Sequence, residues 1–140
     1  IELHPRLAEK LGIADGDYLN NVSFGTDRLV ISGANVNISQ ADVFNKLYNL
    51  EEIDLTGTGG NSLTLNVLDV LQVSDTGVMQ IMGNSGDTVS SQGQGWIQGP
   101  DSVLANGQAC YTYTATVHVP HQGTFQATLL VDTDIIQTIT

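Results

Sequence analysis

Four side chains with oxygen donors, Asn61, Asp87, Asp132 and Asp134, sit on stretches that read as turns, and the chemistry they suit is Ca²⁺ ligation. Asp132 and Asp134 flank Thr133, so two carboxylates one residue apart can chelate a single hard cation, with Asp75 or Asp101 brought near by folding. The competing account is a solvated strand end, and it applies equally to Asp15 and Asp17. A second group is aromatic. Trp96, in the glycine-rich residues 93–107, is either the plug of a core or, with Tyr111 and Tyr113, a stacking platform for a ligand.

Catalytic arrangements fare poorly. Ser85 lies in Gly83-Asn84-Ser85-Gly86-Asp87, but a serine nucleophile needs a histidine base and an orienting acid, and only His4 precedes it. His118 and His121, around Pro120, lack a third ligand and read as a strand end and a turn. Glu52 and Asp54 share a strand face beside Glu51, without the second acidic cluster that paired-carboxylate catalysis requires, so an exposed face is the expected account. Cys110 stands alone in a Tyr- and Thr-rich strand and reads as a small buried hydrophobe. A polysaccharide lyase would need a basic catalytic residue that is hard to find here. No enzymatic activity is expected.

The elements that must position these residues are organised around residues 50–73. Ile53 and Leu55 alternate with Asp54 and Thr56, and Leu63 and Leu65 with Thr64 and Asn66, the period of half-buried strands. Gly57-Thr58-Gly59-Gly60-Asn61 between them is a turn. Asn66, three residues before Asp69, is a helix-start signature. This β-turn-β-α unit recurs upstream, where Ile31 and Ile38 bracket a turn and Ser39 with Asp42 repeats the signature, and downstream from Ile81 to Val89. The first strands step from Ile31 to Leu55 to Ile81, which suggests stacked supersecondary units. Residues 110–119 and 125–131 alternate around Pro120-His121-Gln122-Gly123 and form a hairpin.

The expected fold class is all-β with one to three short helices, a solenoid-like β-roll or, alternatively, a two-layer β-sandwich. One domain is expected over residues 1–140, with a helix-turn leader in 1–20 and a β core in 21–135.

Composition narrows the partners. The net charge is −11, and all four basic residues, Arg6, Lys10, Arg28 and Lys46, lie in the first third. Residues 47–140 therefore present nine acids and no Lys or Arg, which repels phosphate backbones and anionic lipid and argues against nucleic-acid or membrane-surface binding. No apolar run approaches the roughly 18 residues of a membrane span. The absence of a signal peptide and the initial Ile1 fit a module cut from a longer chain.

The succession IDLTGTGGNSLTL-N-VLDVLQVSD, then GNSGDTV, a GW, a YTYTA strand and ATLLVDTDI resembles a module of giant bacterial repeats-in-toxin (RTX) adhesins, over roughly residues 49–135. The strand from Tyr111 and the long loop before it depart from the shorter usual form. The resemblance implies a non-catalytic structural or ligand-supporting module of a large, Ca²⁺-dependent surface protein. It implies export by type I secretion, an extracellular place on the bacterial cell surface, roles in cell adhesion and biofilm, and neighbouring domains of the same chain as partners. An alternative is a carbohydrate- or peptide-binding module that contacts host or matrix directly. The family's Ca²⁺ nonapeptide, G-G-x-G-x-D-x-U-x, is matched only in part: Gly57, Gly59, Asn61 and Leu63 fall on positions two, four, six and eight, and Gly83, Asp87 and Val89 on two, six and eight.

Overall fold

The computed structural model describes residues 27–33, 35–39 and 47–140. The expected leader helix, the strand after it, Asp15 and Asp17, and the helix expected after Ser39 lie outside them. Among the described residues the chain is mostly β, with one short helix. The strands are β1 (Arg28–Val30), β2 (Asn37–Ser39), β3 (Glu52–Asp54), β4 (Ser62–Thr64), β5 (Val78–Met82) and β6 (Thr88–Ser91), then β7 (Ile97–Gln98), β8 (Ser102–Val103), β9 (Ala109–Val119), β10 (Gly123–Asp132) and β11 (Ile136–Ile139). The helix α1 (Val67–Val73) lies between β4 and β5.

Two sheets result. One runs β1-β3-β5-β10-β9-β7, with β8 also on β9, and the other runs β11-β6-β4-β2. Each of the pairs β1/β2, β3/β4, β5/β6 and β10/β11 gives its first strand to one sheet and its second to the other. All pairings between successive units are parallel. The register aligns Leu29, Ile53, Ile81 and Val131 in one row. All four are fully buried and belong to one core with Leu63 and Val89 from the facing sheet. Burial of each such aliphatic side chain stabilises by about 1.5–3 kcal/mol.

Ile81 therefore stands beside Ile53, not beside Leu55 as the recurring pattern suggested. The first strands step by 24 and then 28 residues. A two-residue difference preserves which face each side chain takes, so the hydrophobic pattern is blind to it.

Two glycines between the strands serve close packing of successive turns. A Cβ on Gly57 would strike the carbonyl oxygen of Ile31, and one on Gly60 would lie 2.8 Å from that of Gly86. Neither has positive φ, so it is the lack of a side chain that lets the turns stack. Helix α1 begins as its sequence predicts: the Asn66 side chain accepts from the Asp69 N–H and the Asp69 carboxylate accepts from the Asn66 N–H, both at 2.8 Å. This reciprocal cap satisfies two of the donors a helix start leaves open.

The β9-β10 hairpin is continuous over its paired length, closed by Gln122 N–H on the Val119 carbonyl with His121 at φ 65°. From Thr128 onward β10 also pairs with β5, whereas residues 123–127 pair with β9 alone. The end of the hairpin nearest its turn therefore overhangs the stack, and α1 packs against β9 and β10. Cys110 is fully buried with Met82 and Leu104 in a small second cluster, and burial pushes its thiol pKa up, as an inert apolar residue should show.

Candidate functional site

Asn61 and Asp87 do come together, at equivalent corners of consecutive strand pairs. Asp87 is fully buried, its Oδ1 accepting from the Asn61 N–H at 2.8 Å and its Oδ2 from the Asn84 N–H at 2.6 Å. Asn61, also buried, repeats the pattern one unit earlier: its Oδ1 accepts from the Val36 N–H at 2.8 Å, while its Nδ2 donates to the Leu55 carbonyl at 3.1 Å. Each Asx side chain thus ties its corner to the corner of the preceding unit. A carboxylate that takes two backbone donors is well satisfied without a cation.

Asp132 and Asp134 lie in the turn between β10 and β11. Asp132 is buried and its Oδ1 accepts from the Asp134 N–H at 3.0 Å, an Asx turn that orders the chain reversal. Asp134 is exposed. Among the described residues no three His, Cys, Asp or Glu side chains converge in an arrangement that could hold a metal.

The stacking candidates are placed mostly inside. Trp96 is buried and its indole Nε1 donates to Ser91 Oγ at 2.7 Å. Tyr113 is buried, its hydroxyl donating to Gln137 Oε1 at 3.0 Å, and burial pushes its pKa up. Their ring faces are spent on the core and leave no platform for a ligand. Tyr111 is half-buried and packs on the same core. His118 and His121 are exposed, with His118 Nδ1 at 3.3 Å from Thr124 Oγ1.

The acidic strand face is also less exposed than its sequence suggests. Glu52 is buried at 4 % exposure, and its Oε2 accepts from Arg28 Nε at 2.6 Å across the β1-β3 pair. Glu51 accepts from the Asp27 N–H, and burial together with the nearby carboxylates of Asp75 and Asp27 raises its pKa.

One concave feature was not anticipated from the sequence. A cleft of about 570 Å³ opens between α1, the turn that follows it and the overhanging end of the β9-β10 hairpin. Leu68, Leu71, Val119 and Phe125 give it apolar walls. Gln72, Asp75, Thr76, Gln122 and Gln126 add polar groups. Leu68, on the outward side of α1 with Gln72, is 54 % exposed, and Phe125 is 40 % exposed although it lies on the inward phase of its strand. Phe125 shares its strand face with Ala127 and Leu129, and that alternation was the only sequence signal, one that pointed to core.

Comparison with protein-family models, with curated proteins and with solved structures finds no match to this chain.

Proposed function

We propose that this chain is a non-catalytic structural module of a large secreted bacterial surface adhesin, one unit of a long chain that serves cell adhesion and biofilm formation. The observation that carries this reading is the parallel stacking of strand pairs whose polar corners, Asn61 and Asp87, are consumed in bonding one unit to the next. Buried polar groups spent on backbone partners build a scaffold. The quoted run from residue 49 to residue 135, with its resemblance to RTX adhesin modules, supplies the cellular setting. Within this proposal the four strand pairs are turns of a solenoid-like roll, which all-parallel pairing between units supports over the largely antiparallel pairing usual in a sandwich.

Calcium belongs to the same proposal. Asp134, exposed beside Asp132, is the carboxylate open to Ca²⁺ in a chain whose residues 47–140 hold nine acids and no Lys or Arg. Such a site would relieve the repulsion between those acids. Among the described residues no helix is long and apolar enough to cross a membrane.

The test is cellular. Antibodies raised against residues 27–140 should label the surface of intact producing cells and the secreted fraction. Labelling confined to the cytosol, or turnover of any substrate by the purified chain, would overturn the proposal.

A further inference from the structure

The cleft between α1 and the β9-β10 hairpin has the size of a ligand site and is held open by backbone, not by mobile side chains. About 570 Å³ falls within the roughly 300–1,000 Å³ of small-molecule sites. At its base the Thr128 N–H donates to the Gly77 carbonyl at 2.8 Å, and Gly77, at φ 70°, lies so close to the hairpin that a Cβ there would sit 3.0 Å from the Gln126 carbonyl oxygen. The spacing between helix and hairpin is therefore fixed before anything binds, which lowers the ordering cost of association.

The lining selects the ligand class. No Lys or Arg occurs after residue 46, and the one charged group in the cleft is Asp75, so an anion finds no counter-charge. The lining offers a hard cation one carboxylate, where such ions take about six to eight oxygen ligands. A wholly apolar guest would cover the carboxamides of Gln122 and Gln126 without replacing their bonds to water, at about 1–3 kcal/mol for each group left unsatisfied. What remains is a neutral molecule with hydroxyls along its edges and a flat apolar face. Carboxamides and hydroxyls both donate and accept, as such a guest requires. Phe125 is a large aromatic side chain left 40 % exposed at this position, and it offers the matching flat face.

We propose that this cleft binds an uncharged saccharide, stacked on Phe125 and hydrogen-bonded by Gln122 and Gln126. This goes beyond the scaffold reading, which stands whether or not the cleft is filled.

The purified chain is first applied to an array of neutral and acidic glycans, and hits are titrated while the methyl resonances of Leu68, Leu71 and Val119 are followed by NMR. Expected are saturable binding of at least one neutral glycan and shifts concentrated on those three residues. Phe125→Ala should weaken binding by roughly tenfold or more, the equivalent of about 1.4 kcal/mol, with an unchanged melting curve. Phe125→Leu, which keeps apolar bulk without the flat ring, should weaken it similarly and covers the case in which the alanine variant folds poorly. Retention of no neutral glycan, a preference for acidic glycans, shifts confined to other residues, or full affinity in Phe125→Leu would each overturn the proposal.

Discussion

The backbone N–H of Asn61 donates to Oδ1 of Asp87 at 2.8 Å, linking equivalent corners of two strand pairs that lie 26 residues apart in sequence. Asp87 takes two backbone donors with one buried carboxylate, and its removal should be felt accordingly. Hydrogen bonds to charged acceptors contribute about 1.5–3 kcal/mol each, and buried donors left open add to the loss. Asp87→Ala should destabilise by about 2–4 kcal/mol in urea titrations with an unchanged m-value. Asp87→Asn keeps one acceptor but turns an NH₂ toward an N–H donor, and should cost about half as much. A loss under about 0.5 kcal/mol for Asp87→Ala, the range of ordinary surface changes, would show that the corner bonds contribute little.

Arg28 and Glu52 form the cross-strand ion pair of β1 and β3, with Glu52 buried and Arg28 partly open to water. Arg28→Ala strands a buried carboxylate, and should cost about 1–3 kcal/mol. The double variant Arg28→Met, Glu52→Leu removes charge from both sides and should recover most of that loss. Equal destabilisation by the single and double variants would contradict this account of the pair.

Acid should stabilise the fold within a defined window. Glu51 has its pKa raised by burial, then by Asp75 and Asp27, and Asp69 is raised by burial. Groups that hold protons more tightly when folded contribute stability that is complete below their unfolded values and lost as pH rises through their folded values. The melting temperature should therefore rise as pH falls from 7 toward the ordinary glutamate value of 4.5. Glu51→Gln should raise the melting temperature at pH 7 and flatten the profile. A profile unchanged by that substitution would place the sensitivity elsewhere.

Calcium is tested by melting at constant ionic strength. One ion held by the native state stabilises by about 2.7 kcal/mol at one hundred times Kd, which corresponds to several degrees. A saturable rise with Ca²⁺, lost in EDTA and reduced by Asp134→Ala, is expected. Asp134→Ala is the cleaner variant because the Asp132 carboxylate also builds its own turn. Identical curves in Ca²⁺ and in EDTA would remove calcium from the account.

What was legible in the sequence was local. The Asn66-Asp69 cap, the alternation of β9 from Tyr111 to Val119 and the burial of Cys110 depend on neighbours a few residues away, and the structure contains them all. What was not legible depends on partners far along the chain. Glu52 reads as exposed until Arg28 is placed beside it, 24 residues away. Asn61 and Asp87 were visible as turn oxygens, but each takes a donor from the preceding unit, so their use in tying one unit to the next was hidden. Trp96 and Tyr113 kept two readings because burial was unknown until Ser91 and Gln137 supplied their hydrogen-bond partners. The cleft escaped notice because α1 and the end of the hairpin meet only after the stack has formed.

The central claim, that the module is a non-catalytic part of an adhesive surface chain, is tested most directly by deleting residues 27–140 in frame from the chain in the organism that produces it. Surface-attached cells are then counted against equal amounts of chain displayed on the cell surface. The account predicts attachment reduced toward that of a strain lacking the whole chain; attachment equal to that of the parent strain would contradict it.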